Sequence, residues 1–183
     1  MTTLGWLLLL VADDGALPER DPVTLAAQAL ADGAAADAKG DALALAGAAR
    51  LLDALGAYPA EGAADTADRF RAAAAARGVP PAPPLRGRAL GPAYREGVLA
   101  AGASLSTSQL FLAGQKAVVA LVPANGGALA MRVGEAGATA TICERVVSAP
   151  RGGCAWLPLF TRRVEIRITN RHTAPVRYWL VSN

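Results

Sequence analysis

Two cysteines, one histidine and sixteen arginines hold most of the reactive or ligand-binding chemistry available to this 183-residue chain. Cys143 and Cys154 stand eleven positions apart in ICERVVSAPRGGCAWLP. One histidine and two cysteines at this spacing do not make up the four-ligand set of a structural zinc site. A cysteine nucleophile paired with His172 lacks a supporting motif, and both cysteines sit in apolar strand contexts where a thiol stays inert. Cys143 ends one predicted strand and Cys154 begins the next, so antiparallel neighbours joined by a loop would bring the two within bonding reach. A disulfide is expected. Closing so short a loop stabilises by about 2–3 kcal/mol in the chain-entropy account. It also implies an oxidising compartment, periplasmic or extracellular.

Other constellations are absent or bland. No phosphate-binding loop, dinucleotide fingerprint or HExxH helix occurs, and GASLS at 102–106 lacks the closing glycine of a nucleophile elbow. His172 falls in an apparent turn. Asp32, Asp37, Asp41, Asp53, Asp65 and Asp68 lie on or beside small helices and read as caps and solvated faces, not as a catalytic carboxylate pair. The surface most able to bind something is basic: Arg163, Arg167 and Arg177, with Trp179 on the side of Arg177. Such a face suits anionic glycans or lipid head groups, because guanidinium groups make planar bidentate contacts. It also suits a plain solvated strand surface in which charge blocks edge pairing. Nucleic acid is not expected for an exported chain. No metal and no cofactor is expected either.

These residues depend on the elements that carry them. Residues 1–99 hold twelve acids and nine bases; residues 100–183 hold three acids and nine bases. That asymmetry suggests two regions of opposite charge. The bias toward Ala, Gly, Pro and Arg over Lys is that of a GC-rich bacterial coding sequence. Residues 1–20 contain an apolar run at 4–12, too short to cross a bilayer and long enough for the core of a secretory signal or a short anchor. Residues 21–78 are alanine-rich with helical periodicity. Asp21-Pro22 and Asp41 are helix starts, Gly33 points to a shortened first helix, and Phe70 anchors a third helix over 63–78. Residues 79–92, with four prolines between Pro80 and Pro84, form a stiff linker.

In residues 93–183 the period changes to two. KAVVALVP, ALAMRVGE with ANGG before it as a hairpin turn, TATICER, CAWLPL, TRRVEIRITN and APVRYWLVSN read as strands. Leu129, Met131 and Val133 share one face of their strand; Val164, Ile166 and Ile168 point one way, as do Val176, Tyr178 and Leu180, and Trp156 is expected as a core plug beside the disulfide. The fold class expected is α+β: an N-terminal helical hairpin or three-helix region, then an antiparallel β-sandwich, jelly-roll-like.

The order GVLAAG, FLAGQKAVVAL, ICER, CAWLPLFT, VEIRITN and VRYWLVSN resembles bacterial secreted domains of the pre-peptidase C-terminal type, over about residues 91–183. The cysteine pair, Trp156, Pro158 and Asn170 are the most specific part of the resemblance. It implies a non-enzymatic accessory module of an exported protein, bound to another protein or to an anionic envelope polymer or lipid surface. The other reading is a structural subunit of an envelope complex. Members of that type often carry an acidic strand start that can serve calcium. Here the stretch is NGGALAMRV, and residues 100–183 contain no aspartate, so no calcium site is expected.

Overall fold

The stretch AVVALVP is buried at all of its positions. A strand buried throughout needs cover on both faces, and that need sets the layering of the molecule. The computed structural model describes residues 20–80, 91–135, 137 and 140–183. In chain order the elements are α1 (Pro22–Lys39), α2 (Ala42–Ala54), β1 (Tyr58–Pro59), α3 (Thr66–Ala76), β2 (Ala93–Leu99), β3 (Ser104–Phe111), β4 (Ala117–Pro123), β5 (Leu129–Glu135), β6 (Thr141–Val147), β7 (Gly152–Trp156), β8 (Arg162–Asn170) and β9 (Val176–Ser182). The expected segment at 1–20 falls outside the described residues except for Arg20, and residues 81–90 of the expected linker fall outside them too.

The chain is mixed α+β, with three helices and nine strands among the described residues. One sheet runs β1-β2-β9-β4-β7 and the other β3-β8-β5-β6; apart from the short parallel β1–β2 pair, all pairings are antiparallel. Between the sheets lies a core of Val119, Leu121, Tyr178 and Leu180 from one side and Leu129, Met131, Val133, Val164, Ile166 and Ile168 from the other. The inward sets expected for β5, β8 and β9 are the ones found.

The alternate residues of β4 and β9 point away from that core. Val118, Ala120, Val122, Trp179 and Val181 pack instead with Val23, Ala26, Ala27, Leu30, Leu45, Leu52 and Phe70 of the helices. The helical region therefore shares a core with the first sheet, where the sequence suggested a separate module ahead of the strands. Small side chains on α1 let its backbone lie close to β4.

Gly33 does not shorten α1. The helix continues to Lys39 and ends on Gly40, whose left-handed φ of 72° suits glycine. At Gly33 the ring of Phe70 from α3 fills the space of a side chain; a Cβ there would stand 2.2 Å from the Phe70 ring. Asp21, Asp41 and Asp65 cap the three helices, accepting from Val23 N at 2.8 Å, Ala44 N at 3.0 Å and Asp68 N at 3.0 Å. A second clamp ties α3 to the sheet. The Tyr94 hydroxyl donates to Asp65 Oδ1 at 2.9 Å and accepts from the Thr66 amide at 3.2 Å. Burial, and then the Asp65 carboxylate, push this phenol far above its ordinary pKa, so it remains a donor.

Two expected pairings differ. The turn at 124–127 does not make a hairpin: β4 and β5 belong to different sheets. Cys143 and Cys154 form the expected disulfide, with Cα atoms 6.2 Å apart, but β6 and β7 are not ladder neighbours. They are the outer strands of facing sheets, so the disulfide closes one flank of the two-sheet body. The period-two pattern marks which residues face inward; it cannot say which sheet a strand joins. Thiol titration of the native chain should find no free sulfhydryl. Reduction should lower stability by about 2–3 kcal/mol, read as a lower urea midpoint; an unchanged midpoint would contradict a stapled flank.

Candidate functional site

Where the helical layer ends, the first sheet is left partly uncovered, and a groove of about 410 Å³ opens there. Its walls come from α1 (Ala34, Asp37, Ala38) and α3 (Arg69, Phe70), and its far side from Val98, Ala124, Asn125, Pro175 and Arg177. Trp179 forms part of the lining. The strand period explains why: along β9, residues 177, 179 and 181 face the helices while 176, 178 and 180 face the second sheet.

Trp179 is 1% exposed. Its indole Nε1 donates to Thr66 Oγ1 at 3.0 Å, and its ring meets Phe70 edge-on with centroids 6.5 Å apart. The Arg69 guanidinium carbon lies 5.7 Å from the Phe70 ring centroid and 5.9 Å from that of Trp179, within cation–π range. Directly across the ladder from Trp179 stands Glu96. Glu96 accepts from Arg69 at 2.7 Å and from Thr66 Oγ1 at 3.4 Å, and sits 3.6 Å from Arg177 Nε. One mostly buried carboxylate thus holds two guanidinium groups at the groove wall, and it offsets the repulsion that would otherwise splay them.

The rim is also fixed. Asn125 donates its side-chain amide to Pro175 O at 3.1 Å and accepts from Arg177 N at 3.0 Å, and Ala124 N donates to Arg177 O at 2.8 Å. Arg77 bridges from the end of α3 to Asp37 of α1 at 2.9 Å. The arrangement is an apolar and aromatic surface with cationic heads beside it, held before any ligand arrives. Next to it the edge of β2 is open. Only Ala93 and Tyr94 are paired on that side, by β1, and among the described residues no strand covers residues 95–99 there. Val98, on this edge and in the groove, is 65% exposed.

The four residues expected to form one anionic-surface site do not come together. Arg177 and Trp179 belong to the groove, and Trp179 is a buried wall rather than an exposed contact. Arg163 and Arg167 project from the outer face of the second sheet, two layers away. The sequence pattern placed Arg177 and Trp179 correctly on one side of β9; it did not reveal that helices cover that side. Arg167 is locally engaged, donating to Ser106 Oγ and Glu165 Oε1 at 3.2 Å each. Hydrogen bonds from Ser106 and then Arg167 hold the Glu165 carboxyl below its ordinary pKa. With Glu144 directly across the β5–β6 ladder from Arg132, the outer face carries interleaved charge rather than a bare basic field.

His172 lies exposed in the β8–β9 turn, its backbone amide donating to Asn170 Oδ1 at 2.8 Å. Trp156 is half-buried against Phe111, with ring centroids 4.9 Å apart. Sequence reasoning missed Arg69 of α3 and Glu96 and Val98 of β2, which only the folded chain brings together. It also missed the work of Asn170, a buried side chain that donates to the carbonyls of Leu99, Ala100 and Ala174 at 2.9–3.1 Å. Among the described residues no cluster of three or more metal-ligating side chains occurs, and no helix is long and apolar enough to cross a membrane.

Replacing Trp179 with Phe removes the indole donor while keeping a ring against Phe70. The expected cost is about 1–2 kcal/mol, read from urea denaturation at unchanged slope. A variant as stable as the parent would mean that the Thr66 bond does not hold α3 to the sheet.

No protein-family model matches the chain, and no curated protein matches it. Among solved structures it is similar to a de novo designed double-stranded β-helix, at 13% identity and TM-score 0.34, over 49% of this chain and 97% of that one. It is also similar to PliG of Aeromonas hydrophila, a periplasmic lysozyme inhibitor of g-type lysozyme, at 14% identity and TM-score 0.38, over 50% of this chain and 84% of that one.

Proposed function

We propose that this protein is a non-enzymatic binding module of an oxidising, extracytoplasmic compartment, and that its groove takes an extended segment of a partner protein. The observation that carries this reading is the open edge of β2 beside a preformed aromatic and cationic groove. Tyr94 O accepts from Ala60 N at 2.7 Å, so in an extended strand the backbone groups of Glu96 and Val98 point to the same outer side. A peptide strand added there would satisfy those groups, and its alternate side chains would enter the groove over Val98 and Trp179. An apolar residue suits the floor. An acidic one suits Arg177, whose guanidinium is half exposed and only loosely held by Glu96.

The Cys143–Cys154 disulfide supports the compartment. The distribution of eight strands, β2-β9-β4-β7 in one sheet and β3-β8-β5-β6 in the other, supports reading the body as a jelly-roll β-sandwich with a helical layer on one face. The resemblance to pre-peptidase C-terminal domains belongs to the same proposal: the paired cysteines and the carbonyl-holding Asn170 are features that a disulfide-bearing sandwich uses.

The test is selection from a displayed library of random peptides against the immobilised full chain. The peptides recovered should be extended, with an acidic side chain, and should shift the NMR signals of Val98, Arg177 and the Trp179 indole. Arg177→Glu and Val98→Arg should each weaken them about tenfold or more. Peptides whose binding ignores both substitutions would overturn the groove as the site.

A further inference from the structure

A second surface lies at the opposite end of the strands. β4 begins and β9 ends there, whereas the groove sits where β4 ends and β9 begins. Two loops meet at this end. Gly114 N donates to Pro158 O at 2.9 Å and Ala113 N to Thr161 Oγ1 at 3.0 Å, so the 112–116 turn and the 157–161 loop form one apex. Pro158 is turned inward, and the Phe111–Trp156 ring pair lies at the adjoining ends of β3 and β7. The remaining large side chains point out: Leu157 is 61% exposed, Leu159 78% and Phe160 69%, with Leu110 and Leu112 exposed beside them.

We infer that this apex inserts into the surface of an anionic lipid bilayer. Three observations favour lipid over a protein partner. Leu157, Leu159 and Phe160 project from a loop tip, outside the shallow concavity of about 150 Å³ that Leu110, Phe111 and Leu112 line with Lys116, and a fluid interface needs no complementary shape. The two segments carry charge of one sign: residues 110–117 and 156–163 contain Lys116, Arg162 and Arg163 and no acid, and Glu135, the acid that reaches them, is taken up by Arg162. Lys116 and Arg163 are exposed, while Arg162 is bridged to Glu135. Apolar tips ringed by cations are what the border between acyl chains and anionic head groups accepts. Insertion at the apex also leaves the groove pointing away from the membrane.

The test is flotation of the full chain with vesicles of phosphatidylcholine alone, and with vesicles containing equal parts of phosphatidylglycerol, at low and high salt. The chain should partition into the anionic vesicles and be released by salt. Leu159→Ser/Phe160→Ser should weaken partition about tenfold or more, and Lys116→Gln/Arg163→Gln should weaken it only on anionic vesicles. These side chains are exposed, so thermal unfolding of the variants should match the parent. In anionic bicelles carrying a spin-labelled lipid, the amides of 112–116, 157 and 159–161 should broaden while those of Val98 and Arg177 stay sharp. Unchanged partition of the Leu159/Phe160 variant, equal partition into neutral vesicles, or broadening elsewhere would overturn the inference. So would a protein that occupies the apex in the absence of any lipid partition. Neither a lost peptide at the groove nor a retained one affects this outcome.

Discussion

The structure depends on the burial of both faces of one sheet. β4 has no exposed position, and β9 exposes only Arg177. A sheet of this kind between water and a single partner layer would leave Val118, Ala120, Val122 and Val181 in solvent. At about 25 cal/mol per Å² of apolar area, such exposure is prohibitive beside a net stability of about 5–15 kcal/mol. The alanine-rich helices supply the missing cover. α1 lies on β4 and β9, and α3 is bolted at its first turn by Tyr94 and by the Trp179–Thr66 bond. The groove follows from the same constraint, because it is the part of the covered face that the helices stop short of.

The two flanks of the facing sheets are unequal. One is closed covalently where β6 and β7 meet. The other presents β2 and β3 with their outer edges largely free among the described residues. An open edge normally invites uncontrolled pairing and is blunted by charge or proline. β2 carries Arg95 and Glu96 on that edge, and Glu96 is held by Arg69 and Arg177. Charge there restricts what can pair, and under the proposed function it would set the preference for the added strand. Asn125 and Asn170 each bond two or more backbone groups and so frame this end rigidly; a strand of the proposed kind would meet a rim already ordered, which reduces the entropic cost of binding.

Local chemistry was legible in the sequence, and long-range assembly was not. The Asp21 and Asp41 caps, the inward sets of β5, β8 and β9, and the cysteine pair could be read because each depends on spacing within one segment; the third helix, expected from residue 63, instead starts after its Asp65 cap. Gly33 misled because a glycine in a helix looks like a weakness until the ring that occupies its place is seen, and Phe70 lies 37 positions later. AVVALVP held the clearest neglected signal. Seven consecutive buried-type residues do not fit a sheet with one solvated face, and they announce a third layer. Nothing in the spacing could assemble Arg69, Glu96, Arg177 and Trp179, since three elements contribute them and only the β2–β9 register sets Glu96 opposite Trp179.

The central claim is that helices and sheets form one cooperative body around the doubly buried sheet. Scanning calorimetry of the oxidised chain tests it most directly. A single transition, with calorimetric and van't Hoff enthalpies in agreement, is the result expected. Two separable transitions, one of them accounting for the helical signal alone, would contradict it.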